Sequence, residues 1–145
     1  MTLVVEFKSR VKWVKGVIGK AILDGATVLE FALPKEFGGE EGYVTPEQML
    51  VTSLLSCFSA MLWRLLRAQR VELRNYEGEI VGRMEKDADG YYAIKENIAS
   101  IRIQLANKQD AEKVQEAVEL SKKYCPVGRL MRGNTEIRFD VYITA

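Results

Sequence analysis

The chain is organised around the segment from Thr45 to Arg70, TPEQMLVTSLLSCFSAMLWRLLRAQR. It begins as a helix should, because Thr45 is a good N-cap and Pro46 suits the first helical position. Glu47 then places a negative charge near the positive end of the helix dipole. No further charge occurs until Arg64, and apolar residues lie around most of the circumference. We therefore expect a central helix that is buried on nearly all sides.

A membrane span is the competing interpretation of this helix. Spanning needs about 20 largely apolar residues, whereas the uncharged run at residues 48–63 is shorter and contains hydroxyl side chains: Thr52, Ser53, Ser56 and Ser59. The net charge is only +1, with acids and bases mixed along the chain, which argues against a nucleic-acid surface or a basic membrane anchor. The N-terminal residues lack a signal-peptide pattern. We expect a cytoplasmic protein that binds neither membrane nor nucleic acid.

Strand patterns lie on both sides of the central helix. Alternating or clustered β-formers predict strands at Leu3–Phe7, Arg10–Val14, Val17–Leu23, Thr27–Leu33, Val71–Met84, Tyr91–Ile94, Ile98–Leu105 and Glu136–Thr144. Asp24-Gly25 is typical of a hairpin turn. An amphipathic helix is predicted over Lys108–Lys123, and Pro126 can open a short helix after it. This order, without a recognisable linker, predicts a single α+β domain over residues 1–145.

The absence of histidine restricts the possible chemistry. It excludes Ser–His–acid and Cys–His nucleophile pairs and removes the commonest metal ligand. The two cysteines, Cys57 and Cys125, do not form a CxxC pair, so we predict neither a metal site nor a bound cofactor. In a reducing compartment a purely structural disulfide is disfavoured, which leaves thiols that are free or redox-active.

The two thiols have different local surroundings. Cys125 precedes a predicted helix start at Pro126, where free N–H groups and the helix dipole favour a thiolate. Cys57 lies in the middle of a helix, so a reactive thiolate there would need a cation from elsewhere in the fold. The alternative for each cysteine is a small buried residue without chemistry.

Two segments resemble the OsmC/Ohr family of thiol-dependent organic hydroperoxide reductases. The first is TPEQMLVTSLLSCFSAML, in which Cys57 follows Glu47 by ten positions, and the second is KKYCPVGRLM, which contains Cys125. The Gly-rich approach KEFGGEEGYV is also similar to that family's loop. The resemblance implies an OsmC-like fold, in which antiparallel sheets wrap around a central buried helix, and an intertwined homodimer.

The resemblance also implies a reaction. Cys57 would be the peroxidatic thiolate that becomes a sulfenic acid, and Cys125 would resolve it into a disulfide. An external dithiol, such as a lipoyl protein or a thioredoxin-like protein, would restore both thiols. An apolar pocket around Cys57 favours organic hydroperoxides, since their tails gain from burial. The implied role is that of an antioxidant enzyme in the oxidative stress response.

Glu47 corresponds to an acid that, in this family, orients a basic side chain near the thiol. Ten residues at ~1.5 Å rise separate Glu47 from Cys57 by roughly 15 Å along the axis. Either the helix breaks, or a second subunit supplies Glu47, which favours a symmetric homodimer. The family commonly places an arginine in an early loop, which here reads WVKGVIGKAILDG. Lys15 is the nearest cation there, and the other candidates are Arg10, Lys12, Lys20, Arg64 and Arg129.

Two other functions fit the same residues. The fold could keep an apolar pocket as a binding protein for a small ligand, with non-catalytic thiols, and lysine in place of the family's arginine favours this alternative. The chain could also have a structural or interaction role with buried, inert thiols.

Overall fold

The first three strands of the chain form an antiparallel meander. The computed structural model describes residues 2–145 and separates the chain into two units, Met1–Met49 and Leu50–Ala145. In the first unit the strands pair in sequence order: β1 (Ser9–Lys15), β2 (Ile18–Leu23) and β3 (Thr27–Ala32). The predicted turn at Asp24-Gly25 is confirmed, because Gly25 has a φ of 79° in the β2–β3 connection, a conformation that glycine adopts without strain.

The predicted strand at Leu3–Phe7 is wrong. β2 pairs with β1 over its whole length, and Ser9 opposite Leu23 is the last pair. No residue of β2 is therefore left to pair with the segment Leu3–Phe7 that precedes β1. Leu3 is 84% exposed and Phe7 is 91% exposed. A β-forming composition does not make a strand by itself, because the backbone groups also need a neighbouring strand.

Helix α1 (Pro46–Ala68) begins with a reciprocal capping box. The Thr45 hydroxyl accepts a hydrogen bond from the Gln48 backbone N–H at 3.1 Å, and the Gln48 side-chain oxygen accepts one from the Thr45 N–H at 3.0 Å. Two of the unpaired donors at the helix start are thereby satisfied. The predicted helix start is confirmed.

The second unit places a mixed sheet beside helices. Its further elements are β4 (Leu73–Lys86), β5 (Tyr92–Leu105), α2 (Ala111–Tyr124), α3 (Pro126–Met131) and β6 (Glu136–Thr144). The strand order is β4-β5-β6, and the two strands predicted between residues 91 and 105 are one strand. β6 runs parallel to β5, unlike the antiparallel pairing that we expected. A parallel partner requires a crossover connection, and α2 and α3 supply it.

One face of α1 forms the centre of this unit's core. Leu54, Phe58 and Leu62 are fully buried, and the Phe58 ring stacks on Phe139 with centroids 4.6 Å apart. The expectation that α1 is buried on nearly all sides is wrong for this chain, since Trp63 is 50% exposed and Leu50 is 38% exposed. A single sheet covers only the side of a helix that it contacts, so Ala60 and Arg64 on the opposite side are exposed, and Leu50 and Trp63 lie at the edges of that exposed side.

By length and composition alone, α1 could cross a membrane, with 23 residues and a mean hydropathy of 1.6 in its most apolar window. A core helix of a water-soluble protein has the same properties. The buried stripe of α1 packs against side chains of β5, which is the arrangement of such a core helix.

The core gives a test with a matched pair of leucines. Leu62 is fully buried and Leu130 is 76% exposed. We expect Leu62→Ala to lower the free energy of unfolding by about 2–5 kcal/mol, because it removes packed atoms and leaves a cavity. Leu130→Ala should change it by less than about 0.5 kcal/mol. Urea denaturation measures both, and equal losses would contradict the position of the core.

Candidate active site

The structure brings the two thiols of the chain together. Cys57 lies in the middle of α1, and Cys125 lies between the end of α2 and the start of α3. Both cysteines are free, and their side chains are within hydrogen-bonding range of each other. The separation in sequence is large, but both residues belong to the Leu50–Ala145 unit, whose packing determines their contact.

The junction of α2 and α3 fixes the position of Cys125. Its backbone N–H donates to the Ser121 carbonyl at 3.1 Å and so ends α2. Its sulfur then acts as the N-cap of α3, accepting a hydrogen bond from the Gly128 N–H at 3.3 Å. Pro126 occupies the first helical position, as predicted, since its missing N–H would have no partner there.

Gly128 allows α3 to approach α1 closely. A Cβ atom at this position would lie 3.2 Å from the Cys125 sulfur and 3.6 Å from Cδ1 of Leu54. Leu54 is on α1, one turn before Cys57. The absence of a side chain at Gly128 therefore leaves space for the Cys125 sulfur between its own helix and α1.

Burial controls the ionisation of Cys125. Removal from water raises its pKa, and the Gly128 N–H offsets part of this effect. The Cys57 side chain raises the pKa further, both as a hydrogen-bond partner and through its charge, whereas the Val127 N–H lowers it. The net direction is upward, so the expectation that the helix start favours a Cys125 thiolate is wrong. Desolvation of a 1% exposed thiol exceeds the stabilisation offered by one helix end.

Glu47 lies in the first turn of α1, at the end of the Met1–Met49 unit. One of its carboxylate oxygens, Oε1, is buried and has no hydrogen-bond partner among residues 2–145. α1 is continuous from Pro46 to Ala68, which excludes the helix break that the spacing of Glu47 and Cys57 left open. Donation of Glu47 by a second subunit stays a prediction.

The candidate cations lie mostly on the surface. Arg10 forms an ion pair with Asp24 at 3.5 Å, and the Lys12, Lys15, Arg64 and Arg129 side chains are exposed. Lys20 is partly buried on β2. Within the Leu50–Ala145 unit, no basic side chain forms a hydrogen bond with either sulfur.

A hydrogen-bonded hydroxyl pair between α1 and β4 was missed by the sequence analysis. The Ser59 and Tyr76 hydroxyl oxygens are 2.6 Å apart, and Trp63 packs edge-on against the Tyr76 ring with centroids 5.2 Å apart. Burial raises the pKa of Tyr76, and the Ser59 contact partly offsets this. The pair joins α1 to β4, and periodicity cannot show which residue of β4 faces a given residue of α1. The only signal was a serine on an otherwise apolar helix face.

Comparisons with known proteins agree with this geometry. The family profile for OsmC-like protein matches residues 38–140. The chain is 34% identical over 122 residues to organic hydroperoxide resistance protein-like 2 of Staphylococcus epidermidis, which covers 81% of this chain and 82% of that one. It is 25% identical over 120 residues to organic hydroperoxide resistance protein OhrB of Bacillus subtilis, and the aligned region covers 81% of this chain and 84% of that one. The structure of an OsmC-like protein from Vibrio cholerae matches with a TM-score of 0.84 and 16% identity, covering 95% of this chain and 99% of that one.

The structure is that of an α+β protein of the OsmC/Ohr class. It has a central apolar helix, one mixed and one antiparallel three-stranded sheet, and a pair of adjacent thiols. The chain belongs to the OsmC-like protein family. The predicted resemblance and the predicted α+β, OsmC-like fold are thereby confirmed, whereas the intertwined homodimer stays a prediction. The roles assigned to Cys57, Cys125 and Glu47 stay predictions.

Gly128→Ala tests whether the missing side chain positions the Cys125 sulfur. An added methyl group must displace the sulfur by a few tenths of an ångström. We expect diamide-driven formation of the Cys57–Cys125 disulfide to slow by about tenfold, since small misplacements of reacting atoms are costly. Helix stability should not fall, because alanine is a better helix former than glycine by about 1 kcal/mol. Arg129→Ala is the exposed control, and equal rates in all three proteins would contradict this role of Gly128.

The raised pKa of Cys125 predicts a pH dependence of stability. Below pH 9.0, the ordinary pKa of the thiol, it is protonated in both folded and unfolded chains, and its burial contributes fully to stability. As the pH rises through the higher folded-state pKa, that contribution is lost, since only the unfolded chain ionises freely. Cys125→Ser should therefore lose less stability than wild type between pH 8 and about 11. Urea denaturation under reducing conditions measures this, and parallel profiles would contradict it.

Proposed function

We propose that the chain is a thiol-dependent peroxidase that reduces organic hydroperoxides to alcohols. The observation that carries this proposal is the contact between a partly exposed thiol, Cys57, and a fully buried thiol, Cys125. A resolving thiol must be able to reach the oxidised sulfur without large movement, and this contact satisfies that requirement. Family membership and relatives named for organic hydroperoxide resistance support the same function.

The reaction proceeds in two steps. The Cys57 thiolate attacks one oxygen of the hydroperoxide, so that a sulfur–oxygen bond forms, the oxygen–oxygen bond breaks and the alkoxide leaves as an alcohol after protonation. Cys57 is thereby oxidised by two electrons to a sulfenic acid, and the peroxide is reduced. Cys125 then attacks the Cys57 sulfur, forming a disulfide and releasing water. An external dithiol, such as a lipoyl or thioredoxin-like protein, returns both sulfurs to thiols by exchange.

The unequal burial of the two sulfurs supports this division of roles. Cys57 is partly exposed, so a peroxide can reach it, whereas Cys125 is 1% exposed. The raised pKa of Cys125 keeps it protonated and therefore unreactive toward the peroxide itself.

The surroundings of Cys57 support an organic substrate. Its side chain packs against an apolar cluster that includes Leu54, Phe58 and Met131. A hydrocarbon tail that leaves water for such a surface gains about 25 cal/mol per Å² of buried apolar area, and hydrogen peroxide gains nothing. This difference is the basis for preferring an organic hydroperoxide.

The remaining parts of the site require a second copy of the chain. We propose a homodimer in which Glu47 of one copy orients a basic side chain, Lys15 or Arg10, at Cys57 of the other. The buried, unpartnered Oε1 of Glu47 supports this arrangement. Such a dimer would be soluble and cytoplasmic, and the chain's own residues would perform the reaction without a bound cofactor.

The second candidate is a binding protein for a small apolar ligand. The observation that favours it is the absence, within the Leu50–Ala145 unit, of any basic side chain bonded to either sulfur. Without a cation, a thiol among apolar side chains is poorly activated. In this case the thiols would be inert and the apolar surroundings of Cys57 would serve only for binding.

Thiol titration after one equivalent of cumene hydroperoxide separates the two candidates. The peroxidase should lose both thiols and form one disulfide within the chain. Cys57→Ser should keep its remaining thiol, and Cys125→Ser should stop at a sulfenic acid that dimedone traps. Hydrogen peroxide at the same dose is the matched control and should react more slowly. Retention of both thiols in wild type would reject the peroxidase and support the binding protein.

A further inference from the structure

A second cavity lies at the C-terminal end of α1, and neither thiol lines it. A surface cavity of about 640 Å³ opens between the C-terminal turns of α1 and the start of β4. Three arginines line it: Arg67 and Arg70 at the end of the helix and Arg74 on the strand. The aromatic part of its wall is formed by Trp63 and Tyr76.

The three guanidinium groups of this cavity are not neutralised by the protein. Within residues 2–145 none of them forms an ion pair or a side-chain hydrogen bond, whereas Arg10, Arg83, Arg102 and Arg138 are each paired with a carboxylate. Glu72 is the acid that lines the cavity, so the positive charges exceed the negative ones. Arginine favours planar, bidentate contacts with carboxylate, sulfonate or phosphate groups.

Favourable interaction with the helix dipole does not explain why an arginine, rather than a glycine, occupies position 70 at the end of α1. This residue has a φ of 58°, the left-handed conformation that normally selects glycine at the end of a helix. The geometry is that of a Schellman motif, in which the Val71 N–H donates to the Leu66 carbonyl at 2.9 Å and the Arg70 N–H donates to the Arg67 carbonyl at 3.1 Å. A basic residue could stand one turn earlier without this conformational cost. At the position it occupies, the Arg70 side chain lines the cavity.

The aromatic wall is held in place by other contacts. The Tyr76 hydroxyl is hydrogen-bonded to Ser59 at 2.6 Å, which fixes the ring. Trp63 packs edge-on against that ring and is itself 50% exposed. A large, half-exposed aromatic surface beside unpaired cations suits a ligand with a flat apolar body and an anionic group.

We propose that this cavity binds a small organic anion with an aromatic body, which contacts Trp63 while its charged group is held by Arg67, Arg70 and Arg74. The cavity volume is within the range of about 300–1,000 Å³ that is typical of small-molecule sites. The proposal does not depend on the thiol chemistry, because neither sulfur lines the cavity.

Two matched probes test the charge requirement. 8-Anilinonaphthalene-1-sulfonate and N-phenyl-1-naphthylamine share one ring system and differ by the sulfonate. We expect the sulfonate probe to bind the chain, with fluorescence titrations at low ionic strength showing an affinity about threefold to fivefold weaker in Arg67→Gln, Arg70→Gly and Arg74→Gln. The neutral probe should bind these variants as it binds wild type, and added salt should weaken only the sulfonate probe.

Arg70→Gly separates binding from folding. Glycine adopts the left-handed conformation freely, so this variant should melt at the same temperature as wild type or higher while it loses affinity for the sulfonate probe. Arg83→Gln, far along β4 and outside the cavity, is the matched control and should leave both affinities unchanged. Cys57→Ser should also bind the sulfonate probe normally, which keeps this test independent of peroxidase activity. Unchanged sulfonate affinity in all three arginine variants, or equal losses for both probes, would overturn the proposal.

Discussion

The close contact between α3 and α1 is the constraint on which the site depends. α1 presents one buried stripe, with Leu54 facing α3 at the position where Gly128 has no side chain. The Cys125 sulfur is held there by the Gly128 N–H, and the Cys57 sulfur is within reach of it. Because both sulfurs are positioned by core packing rather than by a loop, their approach is fixed when the chain folds. Packed interiors deform little, so this relation is rigid.

The same packing makes the two sulfurs chemically unequal. Cys125 is 1% exposed and Cys57 is partly exposed, although the two side chains are in contact. A helix start contributes about 0.3–1 kcal/mol to a nearby charge, whereas complete burial can shift a pKa by several units. Burial therefore decides that the pKa of Cys125 is raised. A local sequence motif cannot show whether a side chain will be buried. In the proposed reaction, Cys57 meets the substrate while the buried Cys125 is protected from it.

Local signals in the chain predicted the parts of the fold that depend on local physics. Thr45 and Pro46 marked the start of α1, Pro126 marked the start of α3, and Asp24-Gly25 marked a turn. The wrong predictions concern strand pairing. Leu3–Phe7 has no strand to pair with, and β6 runs parallel to β5. In the candidate site, Cys57 and Cys125 could be selected from the sequence because they are the only thiols of a chain that has no histidine. Gly128 in this site, and the Ser59–Tyr76 pair elsewhere on α1, could not be selected in this way, since their importance lies in what the fold places beside them.

The continuity of α1 has a consequence for how the proposed enzyme is organised. An unbroken α-helix separates residues ten positions apart by roughly 15 Å, so Glu47 cannot serve the Cys57 of its own helix directly. A buried carboxylate oxygen without a donor is costly. In the proposed homodimer, a twofold contact along α1 relieves this cost, because each Glu47 meets a basic side chain beside Cys57 of the partner copy. In such a dimer, association and catalysis are linked, because neither site is complete in a single chain.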